Sequence, residues 1–345
     1  MSAVLVTGGA GFFGGVLKDR LLREGQQVVS VDLEPDGTSH PSLIALRGDI
    51  TDRGMMESLF AKHRFETVYH CAAILAHVAR DKDFLWRSNV EGTRVVADSA
   101  RKHGTKNLVF TSSNCLWGHN LGKPVEESDP PAPVEIYGRS KWEGEKILES
   151  YRGSMNVAIL RCPTILDEGR LGLLTILFDF ILEGRKVWVV GGGRNRYQFI
   201  YAKDLADACL LCASAGASDL FHVGSDDVKS FREVYQHVIE RAGTGARVAS
   251  LPRAPTLLAM RAAYHLGLSP LGPYQYKMIA EDFVFATGKI KAALGWQPTL
   301  TNEDMLWLAY RYYAANRGEI NRRTGVSAHR RSAKMGIIRL LKWLS

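Results

Sequence analysis

Ala3-Val4-Leu5-Val6-Thr7-Gly8-Gly9-Ala10-Gly11-Phe12-Phe13-Gly14-Gly15 is the stretch from which the fold is read. Its first residues are a short apolar run suited to one buried strand, and glycines follow at 8, 11 and 14 before a helical pattern to about Arg23. Glycine at those places removes every Cβ where the backbone must turn tightly. The first amides of a helix are left open there, and with the helix dipole they suit a pyrophosphate. The spacing G-x-x-G-x-x-G is one residue wider than the usual dinucleotide fingerprint, so the second half of that test matters. Val28-Val29-Ser30-Val31 reads as the next strand and ends in Asp32, where a carboxylate accepts hydrogen bonds from ribose hydroxyls and repels a 2′-phosphate. With no Arg or Lys beside Asp32 in sequence, NAD is expected over NADP.

Further strands are expected at Ala45–Ile50, Thr67–His70, Asn107–Thr111 and Val157–Arg161, with helices between them. That alternation predicts an α/β fold, a doubly wound parallel sheet, whose ligands lie beyond the carboxyl ends of the strands. Asp49 and Ile50 are placed to meet the adenine, although a helix cap explains Asp49 equally well. Cys71-Ala72-Ala73 offers small residues beside a nicotinamide ribose. Ser112-Ser113-Asn114-Cys115 follows the fifth strand, and Tyr137-Gly138-Arg139-Ser140-Lys141 opens a helix after a proline-rich loop. Tyr and Lys at i and i+4 share a helix face, so an ammonium there can favour a phenolate.

Taken together, TGGAGFFG, Asp32, Asn89-Val90-Glu91-Gly92-Thr93, Ser113, Tyr137-x-x-x-Lys141 and Asp204-Leu205-Ala206-Asp207-Ala208 resemble the extended short-chain dehydrogenase/reductase family. That family holds nucleotide-sugar epimerases and dehydratases and 3β-hydroxysteroid dehydrogenases, and the resemblance covers about 1–315. It implies NAD held by Gly8, Gly11, Phe12, Phe13, Gly14, Asp32, Asp49, Ile50, Ala72, Ala73, Asn89, Tyr137 and Lys141. It also implies proton transfer by Tyr137, Ser113 on the same substrate oxygen, and Lys141 acidifying the phenol and holding the nicotinamide ribose. Where sugar-nucleotide dehydratases have an acid pair after this serine, the chain has Asn114 and Cys115, so dehydration lacks its acid. Cys115 is similar to a cysteine acid/base of GDP-fucose synthase, and equally reads as a small wall residue.

The substrate side is expected at Ser113, Asn114, Thr164, Arg170, Arg196 and Lys277. Two arginines that bind the diphosphate in sugar-nucleotide epimerases are matched here by Tyr197, with Arg196 before it, and by Tyr276 beside Lys277. The resemblance favours a nucleotide-sugar epimerase; the alternative is a steroid-dehydrogenase-like enzyme acting on an apolar or lipid-linked substrate, suggested by the apolar run Leu251–Leu271. The expected organisation is a Rossmann body at 1–165 rejoined by about 196–224, a substrate lobe of 166–195 and 225–320, and a basic tail at 321–345. A homodimer is implied by analogy.

Composition is that of an ordinary enzyme, 46% hydrophobic and 23% charged. Met1 and Ser2 lead straight into the first strand, so no signal peptide is expected, and five scattered cysteines suit a reduced cytoplasmic protein. Cys209 and Cys212 fall in a helical pattern without a second pair, so no metal is expected. Net charge is +8, but residues 321–345 carry seven basic and no acidic side chains, leaving 8 − 7 = +1 for the rest. No nucleic-acid partner is therefore expected. On a helical wheel Ile337, Ile338, Leu340, Leu341 and Leu344 oppose Arg339 and Lys342, so 334–345 suits a peripheral contact with an anionic leaflet, with packing on a partner subunit or a disordered tail as the alternatives.

Overall fold

The structure, a computed structural model, describes residues 3–75, 81–268 and 272–322, the side chains of Pro273, Gln275 and Lys277 excepted. The tail segment 334–345 and the Lys277 side chain thus lie outside the described residues.

Eleven strands are described: β1 (Ala3–Thr7), β2 (Gln27–Asp32), β3 (Leu43–Arg47), β4 (Thr67–His70), β5 (Asn107–Ser113), β6 (Asn156–Cys162), β7 (Thr164–Leu166), β8 (Lys186–Val190), β9 (Phe199–Tyr201), β10 (Asp219–His222) and β11 (Arg247–Leu251). Seven of them form one parallel sheet in the order β10-β6-β5-β4-β1-β2-β3. The order reverses between β1 and β4, and this opens the crevice at the carboxyl edge where α/β sheets bind ligands. Helices α1 (Phe12–Arg23), α2 (Arg53–His63), α3 (Lys82–Trp86), α4 (Gly92–Lys102) and α5 (Ile136–Glu149) connect or flank the first six strands. After them come α6 (Leu174–Leu182), α7 (Ala202–Ala215), α8 (Phe231–Ala242), α9 (Arg253–His265), α10 (Pro273–Met278), α11 (Gly288–Leu294) and α12 (Asn302–Ile320).

Two apolar clusters cover the sheet's two faces. One joins β1, β2 and β6 to α1 and α7, and includes Leu17, Leu21, Leu205 and both buried thiols of the C-x-x-C, Cys209 and Cys212. The other joins the sheet to α2, α4 and α5 through Phe60, Val96, Phe110 and Leu148. A third, around Phe178, Phe231, Met305 and Tyr313, ties α6, α8 and α12 beneath β8.

The third strand lies earlier than its expected span. It pairs with β2 over Leu43–Arg47, and the chain turns at Gly48, whose amide donates to Asp32 O at 2.8 Å. Asp52, not Asp49, caps α2 by accepting from Met55 N at 3.0 Å, while Asp49 Oδ1 accepts from Thr51 N at 2.9 Å. Between α3 and α4 the helix widens into a π turn at Arg87–Glu91, which carries Asn89.

Two histidines are locked neutral inside this framework. His70 lies between the hydroxyls of Thr7 (2.7 Å) and Thr93 (2.9 Å), and burial pushes it down to about 3. His222, against Val125 O and beside Arg161, is pushed down to about 3 by burial. The unfolded chain takes up protons below about pH 6.5 that the folded chain refuses, so this contribution to stability is lost as pH falls from 6.5 towards 3. Urea unfolding at pH 7 and pH 5 is expected to show that loss, and a smaller one in His70→Gln. An equal loss in the variant would contradict the assignment.

Candidate active site

The turn after β1 is set by close backbone approaches. Gly8 has φ +75°, its amide donates to Val31 O at 2.8 Å, and a Cβ on it would lie 2.8 Å from Ala72 Cα. A Cβ on Gly14 would sit within the envelope of the Gly8 carbonyl oxygen. The α1 N-cap is Gly11, with no side chain satisfying the first amides. That is a cradle for a phosphate anion, built from donors the helix cannot use itself.

At the end of β2, Asp32 Oδ2 accepts from Ala10 N (3.0 Å) and Oδ1 from Glu34 N (3.0 Å), so the carboxylate also ties the glycine loop to the strand. Sequence proximity missed one neighbour: register puts Arg47 opposite Asp32, its Nε donating to Leu33 O at 2.9 Å.

From this cradle one cavity of about 430 Å³ runs past Asp49, Ile50, Ala72 and Ala73 to Ser113, Cys115 and Tyr137, and ends among Thr164, Arg170 and Tyr274. Phe12, Phe13, Asn114 and Lys141 also line it. Asn89 does not. Its amide is spent on Ile74 N (2.7 Å), Ile74 O (3.0 Å) and Ser140 Oγ (3.0 Å), stapling the segment after β4 to α5. The neighbouring Ser88 lines the cavity instead, with a buried hydroxyl that has no partner among the described residues. The π turn explains the difference, because one extra residue in the turn shifts which side chain faces inward.

Arg196 is likewise elsewhere. It is exposed, pairs with Asp282 at 3.5 Å and lines a separate cavity of about 230 Å³. Tyr197 is buried, its hydroxyl held by Asn114 Nδ2 (2.7 Å) and Thr164 Oγ1 (3.0 Å), and burial pushes it up to about 12.

The reactive side chains are largely buried. Ser113 closes β5, its Oγ accepts from Cys115 N at 3.1 Å, and it lines the cavity beside Tyr137. Burial raises the phenol well above its ordinary value, and the groups pulling it back are chiefly Ser113 and then the Arg170 guanidinium. Lys141 was expected in that role. Its ammonium lies 3.9 Å from the centre of the Phe110 ring instead, fully buried, and burial pushes it down to about 8. Behind it Glu145, Arg161 (Nη2–Oε2 2.7 Å) and the Ser112 hydroxyl form a buried ionic group that fixes α5 on the sheet. Cys115 is pushed up to about 11 by burial, so its thiol stays protonated. Arg170 has a buried Nε without a partner among the described residues, and burial pushes the guanidinium down to about 10.

A profile of the NAD dependent epimerase/dehydratase family matches residues 4–224, well over half of the chain. The chain belongs to that family. It is 38% identical over 345 residues to the uncharacterized protein y4nG of Sinorhizobium fredii, covering 99% of this chain and 86% of that one. It is 30% identical to a UDP-glucose 4-epimerase of Mycolicibacterium smegmatis over 69% of this chain and 82% of that one. Among solved structures, a UDP-glucose 4-epimerase of Thermotoga maritima with UDP-glucose superposes with a TM-score of 0.76 at 25% identity, covering 91% of this chain and 99% of that one. The protein is thus an enzyme of the extended short-chain dehydrogenase/reductase type, and its cofactor is NAD.

The residues present fit that cofactor, since the glycine cradle leaves open the volume a Cβ would fill and presents unused helix amides. In Gly14→Ala the added methyl must displace Gly8, and NAD affinity by titration is expected to fall by roughly tenfold or more. Unchanged affinity would contradict the cradle.

Proposed function

We propose that the protein oxidises a secondary hydroxyl of a nucleotide sugar and has the hydride returned to the opposite face, as an epimerase. The observation that supports this most is that Ser113, Tyr137 and the NAD cradle line one continuous cavity. The similarity to UDP-glucose 4-epimerases supports the substrate class.

In this reading Tyr137 takes the hydroxyl proton and Ser113 donates to the same oxygen, fixing the carbinol against the phenol. NAD, when bound, supplies the acceptor for the carbinol hydride and its donor to the other face. Burial keeps the phenol protonated at rest, which is the form that returns the proton to a carbonyl. A positive charge beside it lowers its pKa and makes the base available for oxidation. Here the Arg170 guanidinium supplies that charge, while the Lys141 ammonium lies one turn below against the Phe110 ring.

A second reading is favoured by one observation. The position matching a diphosphate-binding arginine is Tyr197, buried and hydrogen-bonded to Asn114 and Thr164, so it offers no charge to a diphosphate. That suits a dehydrogenase acting on an apolar or lipid-linked alcohol. An epimerase turns over with catalytic NAD, whereas a dehydrogenase accumulates NADH.

Tyr137→Phe is expected to lower kcat by roughly 10²–10⁴ while leaving NAD affinity within about twofold. Activity close to wild type would remove the phenol from the mechanism. If Cys115 exchanges protons with substrate, Cys115→Ala loses solvent-isotope incorporation at carbon; a normal rate makes it a wall residue.

A further inference from the structure

Helix α9 is the least buried long helix of the fold. Only Ala263 is buried along its 13 residues, whereas α8, one residue shorter, buries Phe231, Val234, Val238 and Ile239. Nine large apolar side chains are exposed among the described residues, and four fall within 11 positions here: Leu258 (70%), Tyr264 (40%), Leu266 (71%) and Leu268 (52%). Leu258, Ala262 and Leu266 follow one another at i, i+4 and i+8, so they form one stripe. The helix ends in a turn with Gly267 at φ +68°, closed by Leu268 N to Ala263 O at 2.9 Å. That turn presents Leu266 and Leu268 to solvent beside the stripe. A cluster of this kind is rare on a surface that meets only water.

Charge says what covers it. From Arg247 to Ala280 the sequence contains Arg247, Arg253, Arg261 and Lys277 and no Asp or Glu. Arg253 reaches Glu281 at 3.7 Å, while Arg261, inside the stripe's border, has no ion pair among the described residues. The segment 258–268 is therefore apolar at its centre and carries Arg261 with no carboxylate of its own.

Its position gives the surface a use. α9 packs on α10, and Tyr274 of α10 lines the substrate end of the central cavity, its amide donating at 2.8 Å to Glu135, the N-cap residue of the helix that carries Tyr137. We propose that the exposed α9 face, from Leu258 to Leu268, docks on an anionic lipid bilayer and sets the substrate end of the cavity near the membrane surface. Leucines inserted at the headgroup boundary supply apolar burial, and the arginines meet the negative leaflet. This goes beyond the proposed reaction and holds for either substrate reading.

The test uses the full chain with neutral phosphatidylcholine vesicles and with vesicles of mixed phosphatidylcholine and phosphatidylglycerol, read by flotation. Wild type is expected to float with the mixed vesicles and not with the neutral ones. Leu258→Glu/Leu266→Glu, at two exposed positions, is expected to partition at least about tenfold more weakly while keeping wild-type NAD affinity. A companion Ile337→Glu/Leu341→Glu variant, altering only the tail, is expected to keep most of the binding. Flotation of the α9 variant equal to wild type, or lost entirely in the tail variant alone, would overturn the proposal. So would wild type that stays in solution or floats equally with neutral vesicles. Sedimentation showing a dimer that the α9 variant dissolves would assign the face to a second copy and overturn it as well.

Discussion

The contact on which the site depends is the approach of α1 to the end of β1, where Gly14 passes so close to the Gly8 carbonyl that no side chain fits between them. The approach fixes the helix axis against the strand and points its first amides into the crevice. Neither effect needs a side chain, which is why three glycines carry it and why their spacing is so constraining. The Gly8 turn also touches Ala72 of the neighbouring strand's exit, so the same few atoms set the width of the crevice at the point where strand order reverses.

Opposite that wall, α5 is fixed by a different device. Glu145 and Arg161 form an ion pair buried at 3% and 4% exposure, satisfied further by Ser112, and this clamps the helix to β5 and β6. An ion pair in a dry interior is a costly way to gain stability but a specific way to fix register. Gly138 lets the first turn of α5 come against the Cys115 carbonyl, and Ser113, Cys115 and Tyr137 converge as a result. The reactive geometry thus arises from two tight backbone approaches and one buried charge pair.

Much of this was legible in the sequence. The glycine spacing, the strand ending in Asp32, and the serine and Tyr-x-x-x-Lys at strand and helix ends identified the fold and the cavity wall, because backbone geometry demands those residue types there. What escaped was decided by tertiary placement. A π turn reassigned Asn89 to stapling and put Ser88 on the wall. Pairing across β2 and β3 set Arg47 opposite Asp32, 15 residues away in sequence. The ammonium of Lys141 chose the Phe110 ring, and Arg196 faced a different cavity, because a residue beside a buried tyrosine in an extended segment points the opposite way. Exposure of the α9 leucines had no sequence signal beyond apolarity, which fits a core helix equally well.

In the proposed reaction the cradle and α5 hold NAD so that its reactive ring faces the Tyr137 phenol. A crystal structure of the NAD complex measures this directly. The C4 atom of the nicotinamide is expected within about 4 Å of the Tyr137 hydroxyl, with the pyrophosphate on the amides of α1. A ring turned away from the phenol, or a pyrophosphate bound elsewhere, would contradict it.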